Sequence, residues 1–320
     1  MNIRYRSIIS NVTLTASKGL MWPVAVTLGL TVSACAQNEI PTQVAAADKV
    51  QGVSETPREF QMASAAGKYL AGRFARRSRD FGSAAELLTD ALSLDSANRK
   101  IRRQAFFSLV ASGRLEQAAK LAKKIVGSNA GEPISNLTLV VEEVRRRELD
   151  AAESRLSDMP RRGMNTFTSP LLLAWLLQAQ GKTDEAVKAL DSLSKVKSFV
   201  GLRNLHVGLI EDLAGRHEAA DKSLGAAVKS TESLRAVQAY GRFLEGKGRT
   251  EEAATLYMNF IKKNDNTEAL DAALVRIKSG KKPKRLISNA IEGMAEVFFN
   301  LSGTLAQGRS NDLALIYGRF

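Results

Sequence analysis

Residues 181–190 read GKTDEAVKAL, and the same kind of phrase recurs along the chain: a turn residue, acidic or small polar residues, then alanine. The others are RDFGSAAELL (79–88), GRLEQAAKLA (113–122), RELDAAESRL (147–156), GRHEAADKSL (215–224) and GRTEEAATLY (248–257). The shared alanines are Ala84, Ala118, Ala152, Ala186, Ala220 and Ala253, spaced by four steps of 34 residues and one of 33. A fixed period of this length marks a stack of repeated units, none of which buries a core by itself.

Each phrase reads as the junction between two antiparallel helices. Gly113, Gly181, Gly215 and Gly248 can take the left-handed conformation that ends a helix. Thr183 or Thr250, followed by acids, is expected to cap the next one at its positive end. The alanine then falls where the two helices cross, and Leu190 with Leu193, or Leu88 with Ala91, continues one apolar stripe. Twelve residues before each alanine a second close-packing position holds Gly72, Ala174, Gly208 and Gly241, with Phe106 and Val140 in the other two units. Composition agrees with an all-α chain: residues 58–132 and 171–282 lack proline and are rich in Ala, Leu, Lys, Arg and Glu.

A period of 34 with glycine or alanine at the eighth position and alanine at the twentieth resembles the tetratricopeptide repeat. The resemblance implies a right-handed α-solenoid of tandem helix pairs, six of them within residues 58–266. The family's tyrosine at the eleventh position and proline at the thirty-second are mostly absent, as at Ala75 and Ser96. KYLAGRFARRSRDFGSAAELLTDALSLDSAN (68–98) and EGMAEVFFNLSGTLAQGRSNDLALIYGRF (292–320) are also similar to alphaproteobacterial envelope repeat proteins, which continue for several more units. Residues 267–320 read as degenerate or incomplete repeats: helices near 267–278 and 289–306, a basic loop SGKKPKR (279–285), and a last motif at Ala314. A solenoid needs a polar terminal cap, whereas Leu313, Leu315, Ile316, Tyr317 and Phe320 are apolar, which predicts a truncated product or an end that binds something apolar.

Residues 1–34 read as a signal peptide: Arg4, Arg6 and Lys18 without an acid, the apolar run GLMWPVAVTLGLTV (19–32), then small residues. That run is short of the roughly 20 residues that span a bilayer. Val32-Ser33-Ala34-Cys35 resembles the bacterial lipobox, which implies that Cys35, the only cysteine, takes a diacylglycerol; Ala36 in place of aspartate further implies an outer-membrane lipoprotein facing the periplasm. Ala34-Cys35-Ala36 also fits ordinary cleavage before Gln37, giving a soluble periplasmic protein. Residues 35–57 form the lipidated N-terminus and a polar tether able to reach at most about 70 Å at roughly 3.5 Å per residue.

The formal charge of +13 falls to +10 without residues 1–35. Such an excess attracts polyanions in general, and export together with the lack of an aromatic stacking platform argues against nucleic acid. His206 and His217 stand on different helices of one unit, no cysteine remains for a metal cluster, and no glycine-rich loop follows a strand. Neither enzyme, cofactor nor metal is expected.

The resemblance further implies that the first helix of each unit lines the concave face. Its inward positions are Tyr69, Arg73, Arg76 and Arg77, then Lys100, Arg103 and Phe107, leading to an apolar trough that includes Leu171, Trp175, Leu205 and Leu209. A basic mouth before an aromatic and aliphatic trough suits a protein or peptide with an acidic end and apolar side chains. The expected function is an exported adaptor that holds protein partners. The alternatives are a periplasmic escort for a secretion or pilus component, resembling pilotins, and a non-catalytic accessory to an envelope enzyme.

Overall fold

The computed structural model describes residues 64–231, 233–264 and 268–320. The signal segment, Cys35 and the tether lie outside the described residues. Among those described there are helices and no strands. In chain order they are α1 (Ala65–Arg77), α2 (Phe81–Leu94), α3 (Arg99–Ala111), α4 (Leu115–Ser128), α5 (Pro133–Arg145), α6 (Leu149–Asp158), α7 (Asn165–Ala179) and α8 (Thr183–Ala189). There follow α9 (Val200–Leu213), α10 (His217–Ser230), α11 (Leu234–Gly246), α12 (Thr250–Lys263), α13 (Glu268–Lys278), α14 (Ala290–Gln307) and α15 (Asn311–Tyr317).

Consecutive helices pair from α1·α2 through α11·α12, and each pair packs on the next, a tetratricopeptide-like solenoid. The pairing begins at the turns. Gly113, Gly181, Gly215 and Gly248 have φ of 77–79°, and in each case the next residue's N–H returns to a carbonyl five residues back, as Lys182 does to Leu177 at 2.9 Å. Where the repeat lacks glycine, arginine takes the same left-handed conformation: Arg79 at 61° and Arg147 at 62°. The expected threonine caps do not form. Lys182 and Arg249 occupy the cap positions and make no side-chain cap bond, because the turn's own backbone bonds set the helix start, with Asp184, Glu185, Glu251 and Glu252 in the first turns.

Within a pair the crossing alanines Ala84, Ala118, Ala152, Ala186, Ala220 and Ala253 are all 0% exposed. Glycine in the first helix lets its partner approach closely: a Cβ at Gly72 would stand 2.7 Å from Cγ of Leu88, and one at Gly241 would overlap the Tyr257 ring. The same sixteen-residue offset joins Gly208 to Leu224. Between pairs, the arginine that follows a turn glycine reaches back to an acid of the preceding repeat: Arg114 to Glu86 at 2.6 Å, Arg216 to Asp184 at 2.5 Å and Arg249 to Asp221 at 2.7 Å. Such exposed pairs align neighbours more than they stabilise them.

The stack changes character at α13. Arg276 of α13 and Tyr257 of α12 both bond the carboxylate of Glu245 in α11, at 2.8 Å each, and that triad, with Glu245 and Tyr257 buried and Arg276 partly exposed, closes the last junction. Beyond it, α14 and α15 do not extend the solenoid. They form a hairpin that lies on α7, α9 and α3.

Candidate binding groove

The repeat period places the odd-numbered helices α1 to α11 side by side, and the C-terminal hairpin rests on that row. Every stacked helix it is seen to bond or pack against is odd-numbered, so it occupies the inner face. Small residues make the approach possible. Gly293 in the first turn of α14 lies flat on the indole of Trp175 from α7, where a Cβ would overlap the ring. Trp175 is consequently fully buried, and its Nε1–H donates to Nδ1 of His206 on α9 at 3.0 Å. His206 is also fully buried, and burial depresses its pKa from 6.5 to about 4, against the raising influence of Glu296.

Glu296, one turn further along α14, is 4% exposed. Burial works against its charge, but Arg235 of α11 grips both carboxylate oxygens, at 2.7 and 2.5 Å, and Asn300 donates at 2.8 Å, so its pKa is held below the ordinary value. At the other end of the hairpin the Tyr317 hydroxyl and Oγ1 of Thr168 lie 3.2 Å apart, and Nε of Arg319 donates to the carbonyl of Ala111 at 2.9 Å. Phe298, Tyr317 and Phe320 form an aromatic cluster with centroids 5.2–6.3 Å apart.

The expected open trough is therefore not open along its middle. Trp175 and Leu171 are completely covered, and Leu205 is 3% exposed. Of the apolar residues expected to leave a raw end at the last motif, Ile316 and Tyr317 are packed inward, 6% and 1% exposed, while Leu313, Leu315 and Phe320 are half-buried.

The basic mouth divides into three places. Arg73 and Lys100 stand over the Tyr69 ring, 5.6 and 5.8 Å from its centroid, and Gln104 donates to the Tyr69 hydroxyl at 3.2 Å. Arg103 turns away to a shallow cleft of about 220 Å³ with Arg99, Arg102 and Glu132. Arg76, Arg77 and Phe107 join Arg79, Phe81 and Ala111 on one wall of a cleft of about 470 Å³, whose other wall is Asp312, Leu313, Leu315 and Ile316 of α15. None of its three guanidinium groups is ion-paired among the described residues. This cleft is the part of the inner face that stays open beside cations, with an apolar floor beneath them.

Arg79 was not legible as a site component in the sequence, and α15 was legible only as an apolar end, not as a wall opposite Arg76. Arg79 sits in a turn rather than on the inward register, and α15 arrives from more than 200 residues away. Among the described residues no cluster of three His, Asp, Glu or Cys side chains could hold a metal.

The family model described as tetratricopeptide repeat matches residues 171–196, which cover most of α7, all of α8 and the short 3-10 turn after it. This is the unit that contains Trp175 and Ala186, and the remaining pairs share its period, turn and crossing alanine. No curated protein matches the chain.

Proposed function

We propose that the chain is a protein-binding repeat scaffold of a bacterial envelope, anchored through Cys35, which holds its partner by binding and performs no chemistry on it. Tetratricopeptide repeats serve as protein-interaction scaffolds, and the match at 171–196 with the paired-helix fold supports that role. The lipobox-like Val32-Ser33-Ala34-Cys35 supports an outer-membrane site facing the periplasm.

The observation that carries the binding reading is the cleft between α1, α3 and α15. Arg76, Arg77 and Arg79 line it without an ion-pair partner among the described residues, and Phe107, Leu313 and Ile316 provide its apolar lining. A peptide with a carboxylate beside a bulky apolar side chain would satisfy both, the first by bidentate hydrogen bonds and the second by burial. A photo-crosslinking residue at position 107, expressed in the native host, tests this. A discrete adduct is expected, lost in Arg76→Glu/Arg77→Glu and absent when the crosslinker is at exposed Lys188 on α8. The same adducts in the charge-reversed variant would take the cleft out of the account. The mass of the mature N-terminal peptide checks the anchor separately: acylated Cys35 supports it, and a start at Gln37 removes it.

A further inference from the structure

Helix α1 carries a second surface that shares only Arg77 with the cleft. Ala66, Leu70, Arg73, Phe74 and Arg77 recur at helical spacing along one side, opposite Gly72 and Ala75, which pack on α2. Leu70 is 61% and Phe74 73% exposed. In the repeats that follow, the Phe74 position holds Ser108, Glu142, Leu176 and Ile210, and all four are buried in the packing between pairs. The apolar pair thus stands on the end face of the stack, where no helix precedes it among the described residues.

The neighbours of that pair distinguish it from an ordinary stacking face. The Arg73 position holds Phe107, Val141, Trp175 and Leu209 in the next four units, and a cation again, Arg242, only in the sixth. Here it is a cation, as is Arg77 one turn on. From Ala65 to Arg79 there are five cations and no acid, and the first turn of α3 adds Arg99, Lys100 and Arg102. The nearest acids of α2 are engaged, Asp90 with Lys68 at 2.8 Å and Glu86 with Arg114. Two exposed apolar side chains flanked by arginines at i+3 and i+7 match an interfacial helix, whose apolar residues enter the headgroup boundary while the guanidinium groups meet phosphates.

We infer that the exposed side of α1 docks on an anionic phospholipid surface, with Leu70 and Phe74 inserted and Arg73 and Arg77 on the headgroups. This rests on the envelope reading for the presence of a bilayer, and its chemistry is independent of acylation at Cys35. Orientation follows: the stack would stand with its N-terminal end on the membrane.

The test uses residues 36–320, which lack both signal peptide and Cys35 and keep the compact unit Arg58–Phe320 with all of the described core. Co-sedimentation is measured with vesicles of mixed phosphatidylglycerol and phosphatidylcholine, and of phosphatidylcholine alone. Binding is expected to the anionic vesicles only, to weaken with salt, to fall by roughly tenfold or more in Leu70→Ser/Phe74→Ser, and to fall several-fold in Arg73→Glu, residues that the cleft does not include. Helicity should not change, since the replaced apolar side chains are exposed. The emission that Phe74→Trp adds to that of buried Trp175, obtained by subtracting the spectrum of the parent protein, should shift to the blue on adding anionic vesicles. Undiminished binding by Leu70→Ser/Phe74→Ser overturns the proposal. So does a difference spectrum for Phe74→Trp that is already blue in buffer and insensitive to vesicles, which would assign the face to residues 36–63 of the chain. Self-association abolished by the same serine variant would assign it to a second copy. A start at Gln37 in the native protein would remove the acyl anchor and leave every vesicle result unaffected.

Discussion

Gly293 lies in contact with the indole face of Trp175, 118 residues earlier in the chain, with no room between them for a methyl group. That contact seats α14 on the inner face of the repeats and removes Trp175 from any partner's reach. Gly293→Leu should lift α14 off α7. The expected result, in residues 36–320 where Trp175 is the only tryptophan, is a red-shifted emission and faster proteolysis within 279–289. Unchanged emission would mean that α7 and α14 can repack around the larger side chain.

The second tie of the hairpin is Arg235 with Glu296. Removing the cation leaves a carboxylate buried and half-satisfied, which costs about 3–5 kcal/mol when a buried pair is broken from one side. Arg235→Ala should therefore lower stability by that order in urea unfolding. Arg235→Ala combined with Glu296→Leu should recover much of the loss, because the apolar side chain needs no counter-charge. A double variant as weak as the single one would show that packing, not charge, is what Arg235 supplies.

His206 predicts a pH dependence. Its folded pKa, about 4, lies below the unfolded 6.5, so the native state prefers the neutral ring that accepts from Trp175. The associated stability is fully present above pH 6.5 and is lost as pH falls toward 4, to a total of about 3 kcal/mol. Unfolding midpoints measured from pH 7 down to 4 should fall more steeply for the native sequence than for His206→Gln. Parallel curves would assign the acid sensitivity to other groups.

The turns offer a gain. Arg147 holds φ of 62°, which costs a residue with a Cβ about 1 kcal/mol relative to glycine. Arg147→Gly should raise the melting temperature slightly, by an amount equivalent to about 0.5–1 kcal/mol. A lower melting temperature would show that the arginine side chain contributes more than the strain removes.

At the crossing points the opposite is expected. Ala186 is fully buried between α7 and α8, and Ala186→Leu should destabilise by about 1–3 kcal/mol through overpacking. An unchanged melting curve would mean the crossing yields more readily than its burial suggests.

The helices, their pairing and their crossing points were legible because each is a local matter. A 34-residue period, an alanine with no room beyond it and a residue able to take positive φ act over one or two turns, so they leave a pattern in the chain. Even the departures are local: Arg79 and Arg147 take the left-handed turn without the glycine that would have announced it, and Thr183 lost its expected cap to backbone bonds of the turn. The basic inward register was legible as residues and not as a site. Arg103 rotates away from Arg76, and Arg73 and Lys100 are drawn to the Tyr69 ring.

What the sequence by itself determined is a stack of antiparallel helix pairs, since propensity, period and small-residue spacing specify each junction independently of the rest; the inward row of Tyr69, Arg76, Phe107 and Trp175 was an expectation from resemblance. Only the tertiary structure decided which part of that row is accessible. The hairpin α14–α15 carries no pattern that names its destination, and Gly293, Glu296, Tyr317 and Arg319 find Trp175, Arg235, Thr168 and Ala111 across separations of 61 to 208 residues. Contacts of that range depend on the curvature accumulated over all the repeats, a sum of small rotations that no single repeat reveals.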